Sequence, residues 1–172
     1  LFPYTTLFRS QDTISMLQTG EGAAGSVHDI LQKARELSVQ AATDTLTDSD
    51  RKALNTELQQ LLKEIGATAE NTEFNGIKLL NSDSDSSSTI HAQIGPNSGN
   101  QMELPTFSLT PESLNINGVD ILTRENAEKA ITLFDKAIGR VSEVRSNYGA
   151  SINRLEHTIK NLENYRSEEH TS

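Results

Sequence analysis

A line of apolar residues recurs at alternating steps of four and three residues between Ala127 and Leu162, and only Arg145 interrupts it. This heptad pattern, kept over about five repeats, predicts a long helix whose seam packs against partner helices. At about 1.5 Å per residue the helix would be roughly 54 Å long, which suits a rod better than a small globule. The predicted seam consists of Ala127, Ile131, Phe134, Ile138, Val141, Arg145, Tyr148, Ile152, Leu155, Ile159 and Leu162.

Two earlier segments, 12–43 and 50–69, also carry apolar stripes at helical spacing. The connector between them is short and polar, so the second helix must turn back against the first. Thr47 or Asp48 can cap that second helix. The stripe of residues 12–43 consists of Met16, Ala23, Val27, Ile30, Ala34, Leu37 and Ala41. The stripe of residues 50–69 consists of Leu54, Leu58, Leu61, Ile65 and Thr68.

The period changes between residues 74 and 122. Asn75-Gly76 is a strong signal for a tight hairpin turn. Residues 90–94 and 102–104 alternate apolar and polar side chains, which predicts a second hairpin around the turn cluster 95–100. Residues 82–88 (SDSDSSS) are a low-complexity loop. With the last helix at about 124–164, the expected fold is mainly α: an elongated three-helix antiparallel bundle, or coiled coil, with a small β-hairpin element.

Composition excludes several function classes. The formal net charge is −9 and the chain has no Cys. Lys and Arg form no dense block, which disfavours nucleic-acid and anionic-membrane partners. No apolar run approaches the roughly 20 residues of a membrane span. His residues are scattered singly, the acidic loop lacks the Gly and Glu positions of an EF-hand, and no phosphate-binding loop is present. We therefore expect no catalytic residues, metal site or cofactor, and no enzyme.

The two ends of the chain differ from what lies between them. Residues 1–10 (LFPYTTLFRS) and 166–172 (RSEEHTS) do not continue the helical patterns, and both look like translated sequencing-adapter DNA. We interpret both peptides as scars and exclude them from fold reasoning. Residues 11–165 are then expected to be an internal fragment of a longer protein.

Two blocks carry a family resemblance. One is QKARELSVQ at 32–40, followed by AATDTLTDSDR and by ENTEFNGIKLL at 70–80. The other is YGASINRLEHTIKNL at 148–162. Together they resemble bacterial flagellin, specifically its helical rod domain, over nearly all of residues 11–165. The resemblance implies a secreted, extracellular subunit of the motility filament that polymerises with itself. It also implies an export chaperone and hook-associated proteins as partners.

The resemblance further places surface positions on this chain. The family is sensed by a Toll-like receptor through a stripe that corresponds here to Lys33, Leu37 and Glu57. Because Lys cannot make the bidentate contacts of the Arg common at the first position, sensing of this chain is expected to be weakened. The full set predicted for subunit or receptor interfaces is Lys33, Arg35, Glu36, Leu37, Glu57, Asn153 and Arg154.

Some alternatives stay open at this level. Arg145 either extends its guanidinium to the bundle edge along an apolar stem, or pairs with an acid on one of the two earlier helices and sets their register. For the whole chain, a hook–filament junction protein is the nearest alternative to a filament subunit. A free coiled-coil interaction module is the third hypothesis, and it would form discrete oligomers.

Overall fold

Three helices and two small hairpins make up the described part of the chain. The computed structural model describes residues 2–82, 89–95 and 99–169, with side chains described between residues 9 and 164. In chain order the elements are α1 (Phe2–Ala41), α2 (Asp48–Asn71), β1 (Glu73–Phe74), β2 (Ile77–Lys78), β3 (Thr89–Gln93), β4 (Gln101–Pro105) and α3 (Arg124–Glu169). This architecture confirms the predicted mainly α bundle with a small β element.

The two longest helices, α1 and α3, lie antiparallel and form the main packing interface. They contain 40 and 46 residues, so at about 1.5 Å per residue they extend roughly 60 and 70 Å. Helix α2 runs back along α1. Their buried side chains join one continuous hydrophobic core that also reaches under the β region. None of the helices in the described part of the chain has the length and apolarity of a membrane span.

The buried line of α3 differs from the predicted seam. Five predicted positions, Ala127, Phe134, Val141, Tyr148 and Leu155, are buried. The alternate positions Ile131, Ile138, Arg145 and Ile152 are only half-buried, as are Ile159 and Leu162 at the end of the series. The residue before each of those first four is buried instead. The observed line is Ala127, Ala130, Phe134, Ala137, Val141, Val144, Tyr148, Ser151 and Leu155. The seam prediction was therefore wrong by one residue at alternate positions, because small side chains at 130, 137 and 151 permit close approach to α1.

The facing line of α1 is also rich in small residues. Leu17, Gly20, Ala24, Val27, Leu31, Ala34, Ser38 and Ala41 recur at steps of three and four residues, and all are buried. Small residues at this spacing let two helix backbones approach closely. The larger Ile side chains of α3 therefore lie at the flanks of the contact rather than in its centre.

Two local sets of hydrogen bonds stabilise the turn that leads into α2. Thr47 is the N-cap: its hydroxyl accepts from the backbone N–H of Asp50, and the Asp50 carboxylate accepts from the Thr47 backbone N–H in return. Arg51 is buried and donates from its guanidinium to the carbonyls of Ala41 (3.0 Å), Thr43 (2.9 Å) and Leu46 (3.1 Å). The predicted cap at Thr47 is confirmed. The three hydrogen bonds from Arg51 connect the start of α2 to the end of α1 and the connector, and so keep α2 folded back on α1.

Both predicted hairpins are present. β1 and β2 pair around Asn75 and Gly76, which have φ angles of 50° and 79°. Both values are positive, as the tight turn requires. β3 and β4 pair antiparallel, from Thr89 opposite Pro105 to Gln93 opposite Gln101. Most of the predicted acidic loop, residues 83–88, lies outside the described residues, as do residues 96–98 of the turn cluster.

Helix α1 begins at Phe2 and passes without a break through residue 10, the predicted limit of the first terminal peptide. Helix α3 likewise continues to Glu169. Foreign residues fused to a helix can extend it, so this continuity does not test where the two peptides come from. Their adapter origin stays a prediction.

Candidate subunit interface

Two ion pairs connect α1 to α3 along their contact, and a third joins the connector after α1 to the first residue of α3. The Nε of Arg35 lies 2.6 Å from an Asp135 oxygen. At the end of the helix pair nearest α2, the Nη1 of Arg124 lies 3.2 Å from a carboxylate oxygen of Asp44. The negative charges of Asp44 and of its second partner, Glu128, raise the pKa of the Arg124 guanidinium. Towards the other end, Arg145 lies 3.4 Å from Glu21. Each pair joins a basic side chain to an acidic one, so the three pairs are electrostatically compatible with the observed packing.

The acidic partner of Arg145, Glu21, thus lies on α1, which corresponds to the predicted helix 12–43. The sequence had left open whether this partner lies on that helix or on the helix 50–69. The side chain of Arg145 is 40% exposed and that of Glu21 is 38% exposed. The guanidinium itself lies against α1, with its Cζ 3.8 Å from where a β-carbon of Gly25 would be. Both alternatives from the sequence therefore hold in part: the guanidinium reaches the bundle edge, and it meets an acid there. A role in setting register stays a prediction.

The predicted interface residues do not all lie on the surface. Leu37 is 3% exposed and packs in the core, because it lies beside the buried line of α1. This burial contradicts a direct contact between Leu37 and a partner. Lys33 and Glu36 are exposed on α1, and the Nζ of Lys33 lies 4.0 Å from a carboxylate oxygen of Glu36. Arg35 is half-buried, since Asp135 engages its Nε. Three further members, Glu57, Asn153 and Arg154, are exposed.

The predicted interface residues of α1 and those of α3 lie far apart. Arg35 pairs with Asp135 of α3, and Lys33 and Glu36 are its near neighbours along α1. Asn153 follows Asp135 by 18 residues on the same helix, which corresponds to roughly 27 Å along the axis. The two predicted groups therefore cannot contribute to one compact patch.

A site missed by sequence reasoning lies where Tyr148 meets α1. A β-carbon at Gly20 would be 2.9 Å from the Cζ of Tyr148, so the ring fills the space that a side chain would need. The ring is buried, which raises the pKa of its hydroxyl above the ordinary value. The signal was present in the sequence: Gly20 occurs at helical spacing within the apolar line of α1. By helix propensity alone, however, Gly20 only weakens the helix.

The surface depressions of the described residues are shallow. Two, of about 260 and 300 Å³, flank the segment 110–120, and Asn117 and Gly118 border both. The two depressions are lined by amide side chains, backbone atoms and charged side chains of both signs. Neither contains a nucleophile paired with a base. Among the described residues, no group of three or more His, Cys, Asp or Glu side chains could hold a metal ion. The geometry therefore directs attention to the polar outer faces of the helices.

The comparison with known proteins agrees with this architecture. Residues 7–85 match the family model described as bacterial flagellin N-terminal helical region. The crystal structure of Bacillus cereus flagellin superposes with a TM-score of 0.79 at 34% sequence identity, covering 88% of this chain and 86% of that one. The chain belongs to the bacterial flagellin family. The predicted resemblance is confirmed.

Other flagellar proteins extend the comparison. Flagellin from Halalkalibacterium halodurans is 45% identical over 157 residues, which is 90% of this chain and 57% of that relative. The chain thus spans little more than half the length of this flagellin. A protein assigned to the flagellar hook-associated class in Vibrio parahaemolyticus has a TM-score of 0.79 over 96% of the chain, but its identity of 16% shows a shared fold alone.

Proposed function

We propose that the chain is the rod part of a flagellar filament subunit that polymerises with copies of itself outside the cell. The observation that carries the proposal is the antiparallel α1–α3 pair, whose apolar lines are satisfied by each other. In the described residues the exposed large hydrophobic side chains are Val39, Ile77 and Leu122. Contacts between subunits would therefore use mostly polar outer faces, which suits a rod packed among many copies of itself.

A chimeric flagellin tests this proposal. Residues 11–165 would replace the corresponding segment of the Halalkalibacterium halodurans flagellin in a strain that lacks its own filament protein. We expect exported chimera, filaments visible by electron microscopy and at least partial swimming. The native flagellin returned to the same strain is the positive control. Exported, helical chimera that forms no filament would contradict the proposal.

A second strain, which lacks the junction protein, separates the main alternative. A hook–filament junction protein would restore filament growth only in a mutant lacking that junction protein, where a filament subunit cannot. Family membership at 34–45% identity favours the filament subunit. A free coiled-coil module is less favoured, because the α1–α3 pair leaves no long apolar stripe exposed in the described residues. Sedimentation of residues 11–165 should give a helix-rich monomer without filaments, whereas discrete oligomers would favour the module.

Two further partners follow from family membership as proposals. The export chaperone is one, and it would act before assembly. The flagellin-sensing Toll-like receptor is the other, and it would bind a surface of this chain that includes Lys33 and the exposed Glu57. The buried Leu37 would contribute only by supporting that surface. We expect Lys33→Arg to increase receptor signalling in reporter cells by restoring bidentate contacts, while Lys52→Arg on α2 serves as the control. An equal response from both variants would remove Lys33 from the site.

A further inference from the structure

Tyr148 is the one residue of the buried α3 line that forms a described hydrogen bond to the β region. Its hydroxyl donates to the carbonyl oxygen of Leu79 at 3.0 Å, inside the core. The ring also meets the ring of Phe107 edge to face, with centroids 5.3 Å apart and planes at 73°. Edge-to-face pairs are favoured over stacked ones, because the positive edge of one ring faces the negative face of the other.

Gly20 directs the ring to these partners. With no side chain at this position, the ring lies directly against the α1 backbone, and a β-carbon there would come within 3.0 Å of the hydroxyl oxygen. The ring therefore crosses the α1 backbone and extends to the β region beyond it. One side chain of α3 thus contacts α1 and reaches two stretches of the β region.

Leu79 and Phe107 belong to the two sides of one narrow structure, which we call the hairpin base (residues 79–82 and 106–109). Leu109 donates its backbone N–H to the carbonyl of Leu80 at 2.9 Å, and Ser82 donates to that of Phe107 at 3.4 Å. A bridge between Asn81 and Ser108 lies between them. β3 and β4 extend beyond this base. Tyr148 therefore contacts both sides of the base from which the larger hairpin extends.

The helix pair does not depend on the base in the same way. Val141 and Val144 lie on one side of Tyr148 and Leu155 on the other, all fully buried in the core. The Arg35–Asp135 pair holds α1 and α3 together further along. Proteins open locally in cooperative units whose stability depends on their own buried contacts. The base and the helix pair share one core, and Tyr148 adds a hydrogen bond and a ring contact between them.

We propose that Tyr148 is a latch that fastens the hairpin base to the helix pair, so that losing it lets the base open while α1 and α3 stay paired. The hydroxyl supplies a hydrogen bond to Leu79, and the ring supplies the contact with Phe107. Opening would expose Leu79 and Leu80, which are 2% and 0% exposed when the base is closed. The latch is a property of the single chain, so its test does not depend on filament formation.

Hydrogen exchange measured by mass spectrometry on this chain tests the latch. Tyr148→Phe keeps the ring and removes only the hydroxyl, so peptides covering the hairpin base should exchange about three- to tenfold faster, as expected for one lost hydrogen bond. Tyr148→Leu also removes the ring contact, and its effect should be larger. Peptides from the middle of α1 and α3 should exchange at the wild-type rate in the Phe variant.

Val144→Ala is the matched control, because Val144 lies about one turn from Tyr148 on the same buried line. It should accelerate exchange in the helices without selecting the hairpin base. Unchanged exchange of the base in Tyr148→Phe would overturn the proposal. So would equal acceleration of the base and the helices, or a selective opening of the base in Val144→Ala as large as in Tyr148→Phe.

Discussion

The ring of Tyr148 occupies the position that a side chain at Gly20 would need, since a β-carbon on Gly20 would lie 2.9 Å from the Cζ of Tyr148. Tyr148 is 3% exposed and is held on its far side by Leu79. It cannot move away without losing a buried hydrogen bond. The glycine is thus required by a contact between helices, although glycine is a poor helix former.

Alanine substitutions at two glycines of α1 should have opposite effects. Gly22 is exposed, and a β-carbon there would meet nothing within 4 Å, so Gly22→Ala should stabilise the protein by about 0.5–1 kcal/mol through helix propensity. Gly20→Ala has the same propensity gain but forces the ring to shift, and overpacking costs about 1–3 kcal/mol. We expect a net loss of stability, measured by thermal unfolding. Equal stabilisation by both variants would show that the ring adapts freely.

Removing the guanidinium of Arg51 should destabilise the fold more than a typical surface change. Its three carbonyl partners would lose charge-assisted hydrogen bonds, and we expect Arg51→Ala to cost about 2–3 kcal/mol. Arg51→Lys should recover little of this, because one ammonium group cannot reproduce the planar fork. Lys52→Ala, at the exposed neighbouring position, should stay within about 0.5 kcal/mol. Urea unfolding measures all three, and equal effects at positions 51 and 52 would refute the role assigned to Arg51.

The ion pair between Glu21 and Arg145 should contribute little to stability. Both side chains are more than a third exposed, and such pairs typically give about 0.2–1 kcal/mol. A double-mutant cycle with Glu21→Gln and Arg145→Leu measures the coupling directly, and a value above about 2 kcal/mol would contradict this expectation. The oligomeric state of Arg145→Leu separately tests the role in register. A variant that is more stable and stays monomeric would exclude that role.

The cap of α2 should weaken in acid. Hydrogen bonds from the side chain and backbone of Thr47 lower the pKa of Asp50 below its ordinary value of 3.8. A carboxylate with a lowered folded-state pKa stabilises the fold above the unfolded-state pKa, and this contribution is lost as the pH falls through the folded-state value. The stability advantage of wild type over Asp50→Asn should therefore be present at pH 7 and shrink below about pH 4.

Urea titrations at several pH values would measure this change. Asp48→Asn is the control, because Asp48 lies in the same first turn and is not the partner of the Thr47 hydroxyl. Both variants should feel the loss of negative charge near the helix N-terminus. A difference between wild type and Asp50→Asn that stays constant down to the lowest pH would contradict the assignment.

Local signals in the sequence determined which elements form. The heptad spacing after Ala127 requires a long helix, Thr47 ends the connector before α2, and Asn75-Gly76 has the backbone freedom for the first hairpin. These depend on residues close together in the chain. The same locality explains why the flagellin blocks and the mainly α fold could be predicted.

Tertiary structure alone decided which line of each helix faces inward. On α3, positions 130 and 131, and likewise 137 and 138, are both apolar, so periodicity permits either to be central. Close approach to the small residues of α1 selected Ala130 and Ala137 and left the isoleucines at the flank, because two backbones can come together only where side chains are short. The pairing of Arg145 with Glu21 and the contact of Tyr148 with Gly20 both depend on that choice. They join residues distant in the chain, which no local pattern specifies.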